Sequence, residues 1–187
     1  LAVLVISGRE GVQGHTVTLW KLLQKYEIPV FLFINKMDLE GADRAQILEE
    51  LQSSLSAGCL DFEDLEEEQA AMCEEGLLEE YLETGHISVP SMRNSISNRK
   101  IFPCYFGSAL RMSGVEGFLD GIVQFTEEPS YPKQFGARIY KITRDPQGMR
   151  LTHMKITGGT LSVKETLDLP DAPGASGEKV NQIRIYS

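Results

Sequence analysis

Four consecutive residues, Asn35-Lys36-Met37-Asp38, set an amide, an ammonium and a carboxylate directly behind the apolar run PVFLFI at 29–34. In an open parallel α/β sheet, ligands collect beyond the carboxyl ends of the strands, which is where such a tetrad falls. An ionised aspartate only accepts hydrogen bonds, and its two oxygens can take two parallel N–H bonds from a flat amidine-like edge. Guanine offers that edge through its ring N–H and exocyclic amine, whereas adenine carries an acceptor in place of the ring N–H. A carboxylate at Asp38 would face that acceptor unpaired, so the chemistry open to it is discrimination between purines. Asn35 can hold the loop or the base, and the Lys36 stem can lie over the ring plane. Four such residues are also what an ordinary polar loop contains. A second segment, Phe106-Gly107-Ser108-Ala109-Leu110, sharpens the reading. Its small residues let a backbone approach a planar ligand closely. Two strand ends would then offer a base-reading side chain and a base-reading backbone N–H.

These residues need a scaffold, and the hydrophobic pattern supplies one. Residues 1–7 (LAVLVIS), 27–34 (EIPVFLFI) and 101–106 (IFPCYF) are short apolar runs suited to strands buried on both faces. Between them, residues 15–26 carry Leu19, Leu22, Leu23 and Tyr26 at helical spacing. Residues 44–56 are helical too, with Asp43 placed to cap and Gln46 three residues on. Ser113 and Glu116 read as a capping box opening a helix with Val115, Phe118, Leu119 and Ile122 on one face. Strand and helix alternate, which predicts an α/β unit with a parallel sheet covered by helices. Residues 57–100 form an acidic insertion, in which the stretch from Phe62 to Gly85 predicts two short helices with solvated acidic faces.

After Thr126 the pattern changes. Residues 129–134 read as a linker. Beyond it, FGARIYKITRD, MRLTHMKITGG and GEKVNQIRIYS alternate apolar with polar or basic residues, separated by Asp145-Pro146-Gln147-Gly148 and Gly158-Gly159. That is the pattern of hairpins in a small antiparallel barrel, with residues 135–187 as its incomplete beginning.

The net charge of −9 is unevenly placed. Residues 39–83 hold fifteen acidic side chains and one basic, Arg44, so the remainder of the chain is mildly basic. Overall acidity therefore does not exclude a nucleic-acid partner. Cys59, Cys73 and Cys104 are odd in number and contain no C-x-x-C pair, which argues against a disulfide framework or zinc site. Idle thiols fit a reducing, cytoplasmic setting. No apolar run approaches the ~18 residues of a membrane span. Leu1 lies inside an apolar run with no signal-peptide flanks, so it reads as the cut edge of a longer chain.

FINKMD and GSAL, in this order and after GVQGHTVTLWKLLQKYEIP, resemble the guanine-specificity motifs of translational GTPases. FGARIYKITRD and MRLTHMKITGGTL resemble the start of the second domain of elongation factor G and its relatives. KIFPCYFGSALRMSGVEGFLDGI is similar to the tetracycline-resistance ribosomal protection proteins within that group. The resemblance implies that residues 1–128 are the C-terminal half of a P-loop GTPase domain, followed by part of a translation-factor β-barrel. It implies that Asn35 and Asp38 bind guanine, that Lys36 packs on the base, and that Ser108 and Ala109 steady it. The ligand implied is GTP or GDP, with Mg²⁺ in the intact protein, and the partner is the ribosome, both rRNA and ribosomal proteins.

No G-x-x-x-x-G-K-S/T pattern occurs in these residues, and the aspartate-bearing segment that in this family helps to place Mg²⁺ and the attacking water is missing too. Phosphoryl transfer depends on positioning phosphate and metal. The sequence therefore offers no catalytic residue and no metal ligand, and the segment alone is expected not to hydrolyse GTP. His15, His86 and His153 have no partners at motif spacing. Without further strands, residues 1–7 would leave an apolar sheet edge open to self-pairing. The competing expectation is an interaction module with a vestigial guanine site, and a weaker one is an unrelated α/β enzyme.

Overall fold

The computed structural model describes residues 1–127, 130–167 and 177–185. The chain divides into two compact units, Leu1–Glu127 and Glu128–Ser187. In the first unit the elements run β1 (Ala2–Ser7), α1 (Gly14–Lys25), β2 (Val30–Asn35), α2 (Arg44–Ser54) and β3 (Cys59–Asp61). They continue with α3 (Glu67–Ala71), α4 (Glu75–Thr84), α5 (Val89–Ser97), β4 (Phe102–Phe106) and α6 (Val115–Phe125). The four strands form one parallel sheet in the order β1-β2-β4-β3.

Strand alternation divides the side chains of β2 between two cores. Leu32 and Ile34 join Leu4, Ile6, Trp20, Ile47, Leu51 and Phe106 on the face covered by α1 and α2. Phe31 and Phe33 join Met92, Ile96, Tyr105 and Phe118 on the face covered by α5 and α6. Burying each such side chain contributes roughly 1.5–3 kcal/mol before the entropy of ordering is subtracted, so β2 and β4 anchor the loops at their ends. Trp20 fills the groove between α1 and the sheet, its ring edge-on to Phe102 at 4.6 Å, and the Arg99 guanidinium lies over both rings. Cys59 and Cys104 are free thiols within the core, and Cys73 is free and half-buried. Strand β1 is an edge strand with Val3 and Val5 exposed on one face.

Two local expectations need correction. The stretch 57–100 is more than an acidic insertion: its β3 pairs with β4 and completes the sheet, and α5 covers one face. A three-residue strand has no readable periodicity. In α5 only Met92 and Ile96 supply apolar anchors among polar neighbours. The two short acidic helices match α3 and α4, yet their carboxylates are not all solvated. Glu67 accepts from the Ile87 N–H at 2.7 Å, Glu80 from the Ser88 N–H at 3.0 Å, and Glu74 from the Ser95 hydroxyl. These bonds tie α3 and α4 to the chain leading into α5 and to α5 itself.

The second correction concerns the start of α6. Asp43 caps α2 as expected, accepting from the Gln46 N–H at 2.9 Å, but Ser113 and Glu116 form no capping box. The N-cap of α6 is Gly114, at φ 74°, with no side-chain cap. A Cβ there would lie 2.3 Å from the Phe106 carbonyl oxygen, so the close approach of this turn to β4 requires glycine. Ser113 is used elsewhere, in a bridge to Ser108.

The second unit holds β5 (Gly136–Arg144), β6 (Arg150–Gly158), β7 (Thr166–Leu167) and β8 (Glu178–Lys179), in two antiparallel pairs, β5-β6 and β7-β8. The β5–β6 turn is fixed by Asp145, whose carboxylate accepts from the Gln147 and Met149 N–H groups and pairs with Arg184. Among the described residues this is a small antiparallel arrangement and not a closed barrel. The third alternating segment contributes only β8; Glu128, Pro129, Tyr186 and Ser187 lie outside the described residues.

Candidate functional site

The two predicted segments meet at the carboxyl ends of β2 and β4, which are neighbours in the sheet. The Gly107 N–H donates to the Ile34 carbonyl at 2.9 Å, and the Met37 N–H donates to the Gly107 carbonyl at 3.0 Å, so pairing continues past both strands into the loops. Met37 packs against the core beneath. Lys36 is exposed and takes the left-handed conformation at φ 65°, one that a non-glycine residue adopts only when held.

Asn35 does the holding. Its Oδ1 accepts from the Lys36 N–H at 2.8 Å and from the Ala109 N–H at 2.9 Å, bridging loops 74 residues apart. Of the two roles open to Asn35, the structure uses its side-chain oxygen on the loop. The Ala109 N–H, a backbone donor of the second segment, is engaged by that oxygen. Ser108 is buried, its backbone paired in both directions with Ser113. Gly107 makes this turn feasible, since a Cβ on it would sit 2.2 Å from the Ser113 carbonyl oxygen.

Asp38 stands at the lip of a cavity of about 290 Å³ that Ser108, Phe106, Arg44 and Arg111 also line. The Ser108 hydroxyl holds its carboxyl below the usual carboxylate range; desolvation opposes it as the next largest effect, and the Asp38 backbone and the Arg111 guanidinium add smaller lowering contributions. A depressed carboxyl pKa keeps the group an acceptor across the neutral and mildly acidic range. Any stability it contributes is present above the unfolded value of about 3.9 and is lost as pH falls through the lower folded value. Ser108→Ala is therefore expected to raise the Asp38 carboxyl pKa, read by NMR titration of the side-chain carbonyl carbon. An unmoved titration would show that the hydroxyl does not act on Asp38.

Two residues of this region escaped the sequence reading. Arg111 places its Nε 3.1 Å from Asp38 Oδ2; the only sequence signal is a basic residue three positions after Ser108. Arg44 pairs with Asp61 through two nitrogens, each at 2.5 Å, and with Glu63 at 3.1 Å, while its guanidinium lies over the Phe106 ring. The histidines lie elsewhere: His15 is exposed in the first turn of α1, His86 is 3.6 Å from Glu67, and His153 meets the Thr143 hydroxyl. Among the described residues no group of three or more His, Cys, Asp or Glu could hold a metal ion. Nor is any helix among them long and apolar enough to cross a membrane.

In open parallel α/β sheets ligands bind beyond the carboxyl ends of the strands, where these two tied polar loops lie. Residues 1–128 match the Elongation factor Tu GTP binding domain, and the chain belongs to that family. Similar proteins include the tetracycline resistance protein TetW of Butyrivibrio fibrisolvens, 27% identical over all of this chain and 32% of its own length. Another is the tetracycline resistance protein TetO of Streptococcus pneumoniae, 26% identical over 91% of this chain and 30% of its own. The chain thus spans about a third of the length of the curated relatives it matches. The solved structure of ttk003000868 from Thermus thermophilus shares the fold, with a TM-score of 0.74 at 19% identity, over 96% of this chain and 34% of that one.

Proposed function

We propose that this chain carries the guanine-recognition half of a ribosome-associated translational GTPase of the ribosomal-protection or elongation-factor-G kind. The observation that carries the reading is the Asn35 bridge, which locks the loop bearing Asp38 to the loop bearing Ser108 and Ala109. Asp38 accepts the guanine ring N–H and exocyclic amine, Ser108 favours its charged form, and the Lys36 stem covers a face of the base. Asn35 and Ala109 steady the pair of loops. The names of the TetO and TetW relatives support the ribosomal-protection branch. In this reading β5–β8 begin a translation-factor barrel, whose exposed Lys141, Arg144, Arg150 and Lys155 are available to the phosphates of ribosomal RNA.

GTP or GDP is the ligand, and the groups that hold its phosphates and Mg²⁺ belong to other parts of the intact protein. Calorimetry tests both halves of this division. The full-length protein is expected to bind GDP and to reject ADP, whereas the 187-residue chain binds GTP no more tightly than about millimolar, for want of phosphate contacts. Equal affinity of the full-length protein for ADP would overturn the guanine assignment. Micromolar GTP binding by the 187-residue chain would overturn the assignment of the phosphate contacts to other segments.

A further inference from the structure

We propose that Arg111 competes with the base for Asp38, so that guanine binding requires the arginine to be displaced. The inference rests on the guanine reading above and adds an affinity-setting residue to it. The Arg111 guanidinium reaches Asp38 Oδ2 at 3.1 Å, with the arginine side chain 69% exposed and the aspartate only 15%. The arginine is thus the more exposed member of the pair and engages one of the two carboxylate oxygens that a base would need. The backbone that carries this side chain is held in place. The Arg111 N–H donates to the Ser108 carbonyl at 3.1 Å and to the Ser108 hydroxyl at 3.4 Å, in a turn closed by the Ser108–Ser113 bridge.

The chemistry of the two partners is alike. A guanidinium is a planar carbon bearing three nitrogens with N–H donors in a fork. The edge that guanine presents to a carboxylate, a ring N–H and an amine on one carbon, is part of the same unit. Both seek the same acceptor. Arg44, the other cation at this cavity, is held by Asp61 and Glu63 and is not free to take Asp38. Ion pairs with this much solvent exposure are worth little and are screened by salt. The competition therefore lowers guanine affinity by about two- to fivefold at low ionic strength, and less as salt rises.

The test compares full-length wild type with Arg111→Gln by calorimetry with GDP, at about 50 mM and about 500 mM NaCl, conditions that bracket strong and weak screening. Arg111→Gln is expected to bind GDP about threefold more tightly at low salt, with most of the gain gone at high salt. In an Asp38→Asn background, where no carboxylate remains to be contested, the same change is expected to leave xanthosine diphosphate affinity unaltered. The Asp38→Asn arm also separates the two claims. If Asp38→Asn fails to exchange GDP for xanthosine diphosphate, the guanine reading falls and this inference falls with it. If that exchange occurs while Arg111→Gln binds GDP equally or more weakly at both salts, the competition alone is overturned. The exposure of Arg111 makes misfolding of the variant easy to check by circular dichroism.

Discussion

Replacing Asp38 with asparagine in the full-length protein is expected to weaken GDP binding by roughly 10²- to 10⁴-fold and to turn the preference toward xanthosine diphosphate. Two charge-assisted hydrogen bonds are at stake, each worth about 1.5–3 kcal/mol. The asparagine amide returns one donor where guanine also presents donors, so one pair of groups is left facing without an acceptor. Xanthine carries a carbonyl in place of the exocyclic amine and accepts from that amide, so the lost affinity returns with the altered base. The change removes no core contact, since Asp38 lies on the loop beyond β2 and retains some exposure. Competition calorimetry with both diphosphates reads the result. Unchanged GDP affinity would remove Asp38 from base recognition.

The second large effect is expected at Asn35. Asn35→Ala strips one oxygen of two accepted bonds, from the Lys36 and Ala109 N–H groups. At about 1 kcal/mol for each bond, with more where the donor is left unsatisfied, the loss is about 2–3 kcal/mol. For a chain of this size that lowers Tm by roughly 4–12 °C. Lys36 also loses the bond that holds it in the left-handed region, so the tetrad relaxes and Asp38 loses its aim. GDP affinity therefore falls along with Tm. Asn35→Asp retains an acceptor and is expected to keep more of the stability, which separates the hydrogen bonds from simple side-chain volume. Thermal unfolding together with hydrogen exchange at the Ala109 amide checks the claim. Unchanged exchange in Asn35→Ala would show that the bridge does not hold the loops.

Much of this arrangement is legible in the amino-acid order, for identifiable reasons. The short, aromatic-rich apolar run that becomes β2 has the length and composition of a strand buried on both faces, and Asp43 with Gln46 marks the start of α2 from local chemistry alone. The β5–β6 hairpin follows from the broad apolar–polar alternation on either side of Asp145-Pro146-Gln147-Gly148, although the pairing slips register between Ile139 and Lys141. What the order hides depends on contacts between distant residues. Strand β3 is too short to show a period and holds its place only by pairing with β4. The Ser113–Glu116 pattern satisfies the local rule for a capping box, yet Ser113 is committed to Ser108 and Gly114 takes the cap. In the candidate site, the residue types of the tetrad announce their chemistry. The oxygen of Asn35 reaching Ala109 and the guanidinium of Arg111 reaching Asp38 are tertiary facts, visible only once the two loops are adjacent.

The most direct test is the structure of the full-length protein with GDP bound. The guanine ring N–H and exocyclic amine are expected about 2.7–3.2 Å from the Asp38 carboxylate, with Lys36 along one face of the base and the Asn35–Ala109 bond intact. A guanine bound elsewhere, with neither donor within hydrogen-bonding reach of Asp38, would contradict the account.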